Sequence, residues 1–281
     1  MKLGGFTSET RTITCGVPQG SPLSPVLFNI YIRPLLKIIS KQDLCYHSYA
    51  DDTQLYLRIT NKKDQFHELG KCLTLIDNWM TESSLKLNGS KTELLTLHAN
   101  RKSISRTTWT PPTILGQTIA PSNKVKSLGV IFDADMTMDA QIGSVVSGSH
   151  HLLRMLRRLI PFIPEEDRAV VVGTIINSRL DYANSLYLGL PKYQMSRLQV
   201  VQNTAARLVT GKKPWESVSP ALRSLHWLPV QDRVTFKTLC LTHKCIQGKA
   251  PQYLSEKIKP YVTKRVLWST DQNLFQIPKS R

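Results

Sequence analysis

Two adjacent acids, Asp51 and Asp52, follow Tyr49 and Ala50 between two short apolar runs, Cys45 to Tyr49 and Leu55 to Ile59. Extended runs joined by so short a link read as a β-hairpin with both carboxylates at its tip. Carboxylates crowded on a tight turn repel each other unless something positive sits between or beside them. A divalent cation meets that need. Hard cations such as Mg²⁺ take carboxylate oxygens together with substrate phosphates, and paired metals can hold both the attacking and the leaving oxygen of a phosphoryl transfer. The plain alternative is a solvated acidic turn, since Asp is itself a favoured turn residue.

Other constellations carry less chemistry. Cys240, His243 and Cys245 stand three and five residues apart in a helical pattern, do not share a face, and have neither a CxxC pair nor a fourth ligand. They read as packing side chains rather than a zinc site. No nucleophile elbow, GxxxxGK[ST] loop or GxGxxG turn occurs, which argues against a hydrolase, an ATPase and a dinucleotide enzyme. Arg154, Arg157 and Arg158 lie at helical spacing on one flank, and Arg207, Lys212 and Lys213 gather at another helix end. Such groups suit a phosphate backbone, although cations at a helix C-terminus also suit the helix dipole.

The elements that must position these residues follow from periodicity. Leu27, Ile30, Tyr31, Leu35 and Ile38 predict a helix, with a kink expected at Pro34. The acidic hairpin comes next, then an amphipathic helix through Leu69, Cys72, Leu73, Ile76, Trp79 and Met80. A strand is predicted over 93–97, a loop or small hairpin over 99–123, and a single strand over 127–132. From about residue 140 the pattern is helical: one helix to Pro161, one from Glu165 that fades near Asn184, one over about 192–210 stopped by Gly211, and one over 230–247. The tail after about 258 reads as an extended or partly disordered arm.

Of 281 residues, 37 are Lys or Arg and 20 are Asp or Glu, a formal charge of +17 that points to a polyanionic partner. The balance is uneven, +4 over residues 1–140 and +13 over 141–281, which suggests two regions with different tasks. No apolar stretch is long enough to span a bilayer and the start lacks a signal-peptide pattern, so no membrane association is expected. Five scattered cysteines suit reduced thiols, and the reading expects an intracellular protein, in nucleus or cytoplasm.

The segments ITCGVPQGSPLSPVLF at 13–28 and YHSYADDTQLYL at 46–57, in that order, resemble reverse transcriptases of non-LTR retrotransposons of the jockey-like, long-interspersed-element type. The resemblance implies an α+β fold: a partial polymerase palm of antiparallel strands plus helices over 1–140, an all-helical thumb-like region over 141–257, and an extended tail over 258–281. It implies Asp51 and Asp52 as catalytic ligands of Mg²⁺ or Mn²⁺. It further places Gly16, Pro18, Gln19, Gly20, Ser21 and Tyr49 against template and incoming nucleotide, where small residues allow close backbone approach. Pro22 and Ser24 depart from the family's usual aliphatic residue and Gly. LKLNGSKTELLTL at 85–97 resembles the next palm motif, with Lys91 poised to steady or protonate the leaving pyrophosphate.

LGVIFDADMTMDAQI at 128–142 resembles the family's strand pair at the primer end. Its Asp133 and Asp135 are read as surface acids outside the metal site. The basic half, with Arg154, Arg157, Arg158, Lys212 and Lys213, would grip the backbone of an RNA template and a DNA primer, with deoxynucleoside triphosphates as substrates. The segment 221–254 resembles a stretch near the end of these elements.

Family polymerases also need a third metal carboxylate and a fingers region upstream of the GVPQGS segment. Only 15 residues precede Gly16, with Glu9 as their one acid. The expectation is therefore a polymerase remnant inactive alone, with an exposed sheet edge. The alternatives are a catalytically dead nucleic-acid-binding remnant, or a relic with no stable fold.

Overall fold

The computed structural model describes residues 2–3, 6–7, 16, 20–58, 65–97, 113–114, 117–261 and 274–276. It divides into two compact units, Met1–Asn123 and Lys124–Arg281.

In the first unit, two-residue strands β1 (Lys2–Leu3) and β2 (Phe6–Thr7) pair antiparallel ahead of helix α1 (Ser24–Ser40). Pro25 stands in the first turn of α1, where its missing N–H costs nothing. Pro34 lies inside the helix, which continues through it to Ser40 although Pro34 has no N–H to give the carbonyl of Ile30. Buried Ile32, Leu35 and Ile39, spaced by three and four, meet Leu69, Cys72 and Ile76 at the same spacing on α2 (Gln65–Glu82). The Tyr31 hydroxyl donates to the Ser83 carbonyl, and its ring lies 6.2 Å from that of Trp79.

Strands β3 (Cys45–Tyr49) and β4 (Asp52–Tyr56) form the predicted hairpin in register Cys45↔Tyr56 to Tyr49↔Asp52. Tyr46, Leu55 and Leu57 pack against the α1–α2 core. The strand predicted over 93–97 shortens to β5 (Leu94–Leu95), and the next are β6 (Thr113–Ile114), β7 (Gln117–Thr118) and β8 (Pro121–Ser122). β6 and β7 make a small hairpin, while β5 pairs with β8 in parallel.

The second unit opens with a correction. The single strand predicted over 127–132 is a hairpin, β9 (Lys124–Ser127) and β10 (Val130–Asp133), reversed at Leu128 and Gly129, which both have positive φ. Leu128 hid the turn, because an aliphatic residue at a position of positive φ is not a turn signal. The predicted helices follow closely: α3 (Asp139–Leu159), α4 (Glu165–Asp181), α5 (Lys192–Thr210), the short α6 (Ser219–Ser224), α7 (Val230–Ile246) and α8 (Gln252–Ser255). The short helices α6 and α8 fall below the length that periodicity can resolve.

Ile142, Leu153, Leu156, Val172, Ile176, Leu180, Leu198, Val201, Ala205, Val230 and Val234 join in one core with Tyr187. Each large aliphatic side chain removed from water there contributes roughly 1.5–3 kcal/mol. Polar clamps fix the packing. Arg233 binds both carboxylate oxygens of Asp181, Gln202 Nε2 donates to the Leu228 carbonyl at 2.8 Å, and Gln141 Oε1 accepts from the Ile131 N–H at 2.9 Å. Of the predicted arm, the described part is held by a bridge between Pro260 and Phe275. Most of the remaining tail lies outside the described residues.

Candidate functional sites

The acidic hairpin has the geometry its alternation predicts. Tyr46 and Ser48 face inward while Cys45, His47 and Tyr49 face solvent. Tyr49 and Asp52 are the last pair of the ladder, leaving Ala50 and Asp51 as a two-residue loop with Ala50 at φ 53. That left-handed conformation costs an alanine about 1 kcal/mol, which the paired strands must sustain. Asp51, Asp52 and Tyr49 are all exposed, and Tyr49 keeps 69% of its surface. Two carboxylates are thus displayed side by side at the end of a ribbon whose inner face rests on a core. Their oxygens suit a hard cation that also binds phosphates and water. No group of three His, Cys, Asp or Glu side chains converges among the described residues.

The glycine motif is described at Gly16, Gly20 and Ser21, while Pro18 and Gln19 lie outside the described residues. Gly16 and Gly20 have φ of 80° and 85°. An added Cβ at either would meet nothing within 4 Å, so backbone conformation rather than crowding by protein favours glycine there, and the space stays open to a ligand. The Ser21 carbonyl accepts from the Ser24 N–H at 3.2 Å at the entry to α1.

Lys91 closes a one-turn 3₁₀ helix, Gly89–Lys91, capped by Asn88. Asn88 Oδ1 accepts from the Lys91 N–H at 3.3 Å and from Ser90 Oγ at 2.7 Å. The Lys91 side chain is exposed, and beside this turn Gly89, Thr92, Glu93, Thr118, Ile119, Ala120 and Ser122 line a cavity of about 200 Å³.

Asp133 departs from the surface acid expected at this position. It is buried at 8% exposure, and its two oxygens accept from the Thr137 and Met138 N–H groups, each at 2.8 Å. It fixes the turn into α3, with a backbone N–H on each of its oxygens. Asp135, as expected, is exposed. Asp139, in the first turn of α3, accepts from Gln194 Nε2 at 2.9 Å and from Arg197 Nη1 at 2.6 Å. Those hydrogen bonds hold its carboxyl below the usual value.

The basic residues of the second unit differ in their freedom. Arg154, Arg157 and Arg158 are exposed on α3, while Leu153 and Leu156 of the same helix are buried. Lys212 is half-buried and donates Nζ to the Ser217 carbonyl at 3.3 Å, which ties part of its charge to loop closure. Lys213 places its Nζ over the Trp215 ring, 5.3 Å from the centroid. The loop that presents Trp215 was not singled out from the sequence, although a Trp following Lys212, Lys213 and Pro214 in a polar stretch is an available signal. Cys240, His243 and Cys245 all lie on α7, and both cysteines are free thiols.

Residues 2–132 match the reverse transcriptase (RNA-dependent DNA polymerase) family. The chain is 22% identical over 226 residues to the RNA-directed DNA polymerase from mobile element jockey of Drosophila melanogaster, an alignment covering 76% of this chain and 24% of that protein. It is 25% identical over 242 residues to the "Probable RNA-directed DNA polymerase from transposon BS" of the same organism, covering 82% of this chain and 26% of the relative. Similarity to the "Probable RNA-directed DNA polymerase from transposon X-element" is 22% over 215 residues, covering 73% and 22%. The chain thus spans about a quarter of the length of these relatives, and the alignments are too long to be confined to the first unit. No solved structure matches the chain. The resemblance carried by the two motifs is borne out.

Proposed function

We propose that this chain, similar over 2–132 to reverse transcriptases and over most of its length to polymerases of jockey-like elements, is a palm and thumb portion of an RNA-directed DNA polymerase. The palm-like part spans about 1–140 and the thumb-like part 141–257. The observation that carries the reading is the hairpin, which holds Asp51 and Asp52 adjacent and exposed. Both carboxylates would hold a divalent cation, Mg²⁺ or Mn²⁺, which when bound supplies charge stabilisation to phosphoryl transfer. Tyr49 and the open backbone at Gly16, Gly20 and Ser21 would face template and deoxynucleoside triphosphate, together with Pro18 and Gln19. Lys91 would place a proton or positive charge at the leaving pyrophosphate. Arg154, Arg157, Arg158 and Lys213 would bear on the sugar-phosphate backbone, with a smaller share from Lys212.

Primer extension tests this reading, using an RNA template, a DNA primer, deoxynucleoside triphosphates and Mg²⁺ or Mn²⁺. Extension that disappears in Asp51→Ala supports it. Absence of extension by the chain under every metal condition removes the catalytic reading for this chain.

A second reading is a nucleic-acid-binding protein without catalysis. It draws on the excess of positive charge in the helical half of the chain. Binding would survive Asp51→Ala and fall steeply with added salt. Retention insensitive to salt contradicts it.

A further inference from the structure

The loop after α5 is built to display an aromatic ring. Gly211 ends the helix at φ 67, and the chain then closes on itself through four contacts. Arg207 Nη2 donates to the Glu216 carbonyl at 3.3 Å and Lys212 Nζ to the Ser217 carbonyl at 3.3 Å. The Lys213 N–H donates to Glu216 Oε1 at 3.3 Å, and the Glu216 N–H returns to the Lys213 carbonyl at 3.1 Å. Between the two ends of this clasp stands Trp215, 77% exposed, with the Lys213 ammonium over its ring.

An indole left in water forgoes the burial that makes Trp a stabilising residue, and in a closed loop it stays available to a partner that covers it. The surrounding chemistry selects that partner. Lys213 puts a positive charge on the ring itself, Arg207 and Lys212 add theirs to the same loop, and the loop's single acid, Glu216, has its carboxylate already engaged. A cation beside an exposed ring is the pairing that single-stranded nucleic acid uses, phosphate on the cation and base on the ring.

We propose that Trp215 is a stacking platform for an unpaired base of RNA or DNA, with Lys213 holding one face of the indole and the adjacent phosphate. This rests on the nucleic-acid-binding reading above and adds to it a recognition mode: the loop takes single strands in preference to duplex, because a paired base has no free face. It assigns a task to the segment that follows α5, beyond residues 2–132 that match the reverse transcriptase family.

The test uses the full chain, a fluorescein-labelled 20-nucleotide single strand and the same sequence as a blunt duplex. Trp215→Ala should weaken single-strand binding about 5- to 100-fold and leave duplex binding within about twofold. Trp215→Phe, which keeps a ring, should stay within about threefold of the parent, and Trp215→Leu, apolar without a ring, should resemble the alanine variant. The salt dependence should keep its slope in Trp215→Ala and lose about one unit of slope in Lys213→Ala. Equal losses on single strand and duplex, or leucine as good as phenylalanine, overturn the platform. Unchanged oligonucleotide affinity in Trp215→Ala also overturns it and leaves the ring to a protein surface. Binding of neither probe by the parent chain defeats the underlying reading as well. Circular dichroism of each variant confirms that the exposed substitutions leave the fold intact.

Discussion

The two units hold opposite shares of chemistry and of core. The first carries the glycine motif, the acidic hairpin and Lys91, yet its buried cluster has seven residues, from Ile32 to Ile76, among those described. The second carries none of these motifs, but its main cluster has fifteen, from Val130 to Val234, and is reinforced by Arg233 on Asp181 and by Gln141 under β10. Strands in the first unit pair only two by two among the described residues, so each ribbon leaves backbone groups unpaired along its outer edges. The exposed carboxylates are displayed on a ribbon supported from one side, whereas the exposed arginines of α3 are mounted on a deep helical core. The difference teaches that the glycine motif and the acidic pair need only local backbone geometry to be presented, while a face spread over several helices needs their packing.

The largest expected effect breaks the chemistry and spares the fold. Asp51→Asn with Asp52→Asn should abolish whatever primer extension the parent chain shows while leaving the denaturation midpoint and single-strand affinity unchanged within error, since both side chains are exposed. A fall in affinity with the pair would show that the hairpin serves binding rather than catalysis. Next come the cores. Leu198→Ala and Leu35→Ala each remove a fully buried leucine, at about 2–5 kcal/mol apiece. Urea unfolding followed by helical signal should show Leu198→Ala lowering the transition that carries most of the helix content and Leu35→Ala lowering a separate one. A single shared transition shifted equally by both would erase the distinction between the units.

Asp133→Ala strands the Thr137 and Met138 N–H groups at the entry to α3 and should cost about 1–3 kcal/mol. Because Asp133 clamps backbone N–H groups with both oxygens, metal affinity should not change. The smallest effect is a pH dependence. The Asp139 carboxyl is held low by Gln194 and Arg197, so its contribution is complete above the ordinary carboxylate value and is lost as pH falls through the lowered one. Asp139→Asn should therefore narrow the stability difference between neutral pH and about pH 3 in acid titration by circular dichroism. An unchanged profile would mean that these bonds do not differ between folded and unfolded chains.

Much of the architecture was legible from local pattern. The helices α3, α4, α5 and α7 were marked by apolar spacing and by their stops, and the acidic hairpin by two extended runs around a short turn, which the structure tightens to two residues by starting β4 at Asp52. The turn at Leu128 and Gly129 was hidden by its leucine. Burial of Asp133 was equally illegible, since it depends on two N–H groups that the folded entry to α3 turns toward it. The loop at Trp215 needed its clasp to be visible before the ring could be read as displayed rather than buried.

Sequence by itself determined that Asp51 and Asp52 are neighbours on a tight link, that glycines stand at 16 and 20, and that positive charge concentrates in the second half. These are properties of residue order, and short-range sterics carry them into structure without help from distant contacts. Tertiary structure alone decided which charges are free. Lys212 is partly tied to Ser217 and Asp133 is buried with both oxygens on backbone N–H groups, while Arg154 and Trp215 stand in solvent. The physical reason is that a side chain's availability depends on what the rest of the chain brings within hydrogen-bonding distance, and local periodicity does not contain that information.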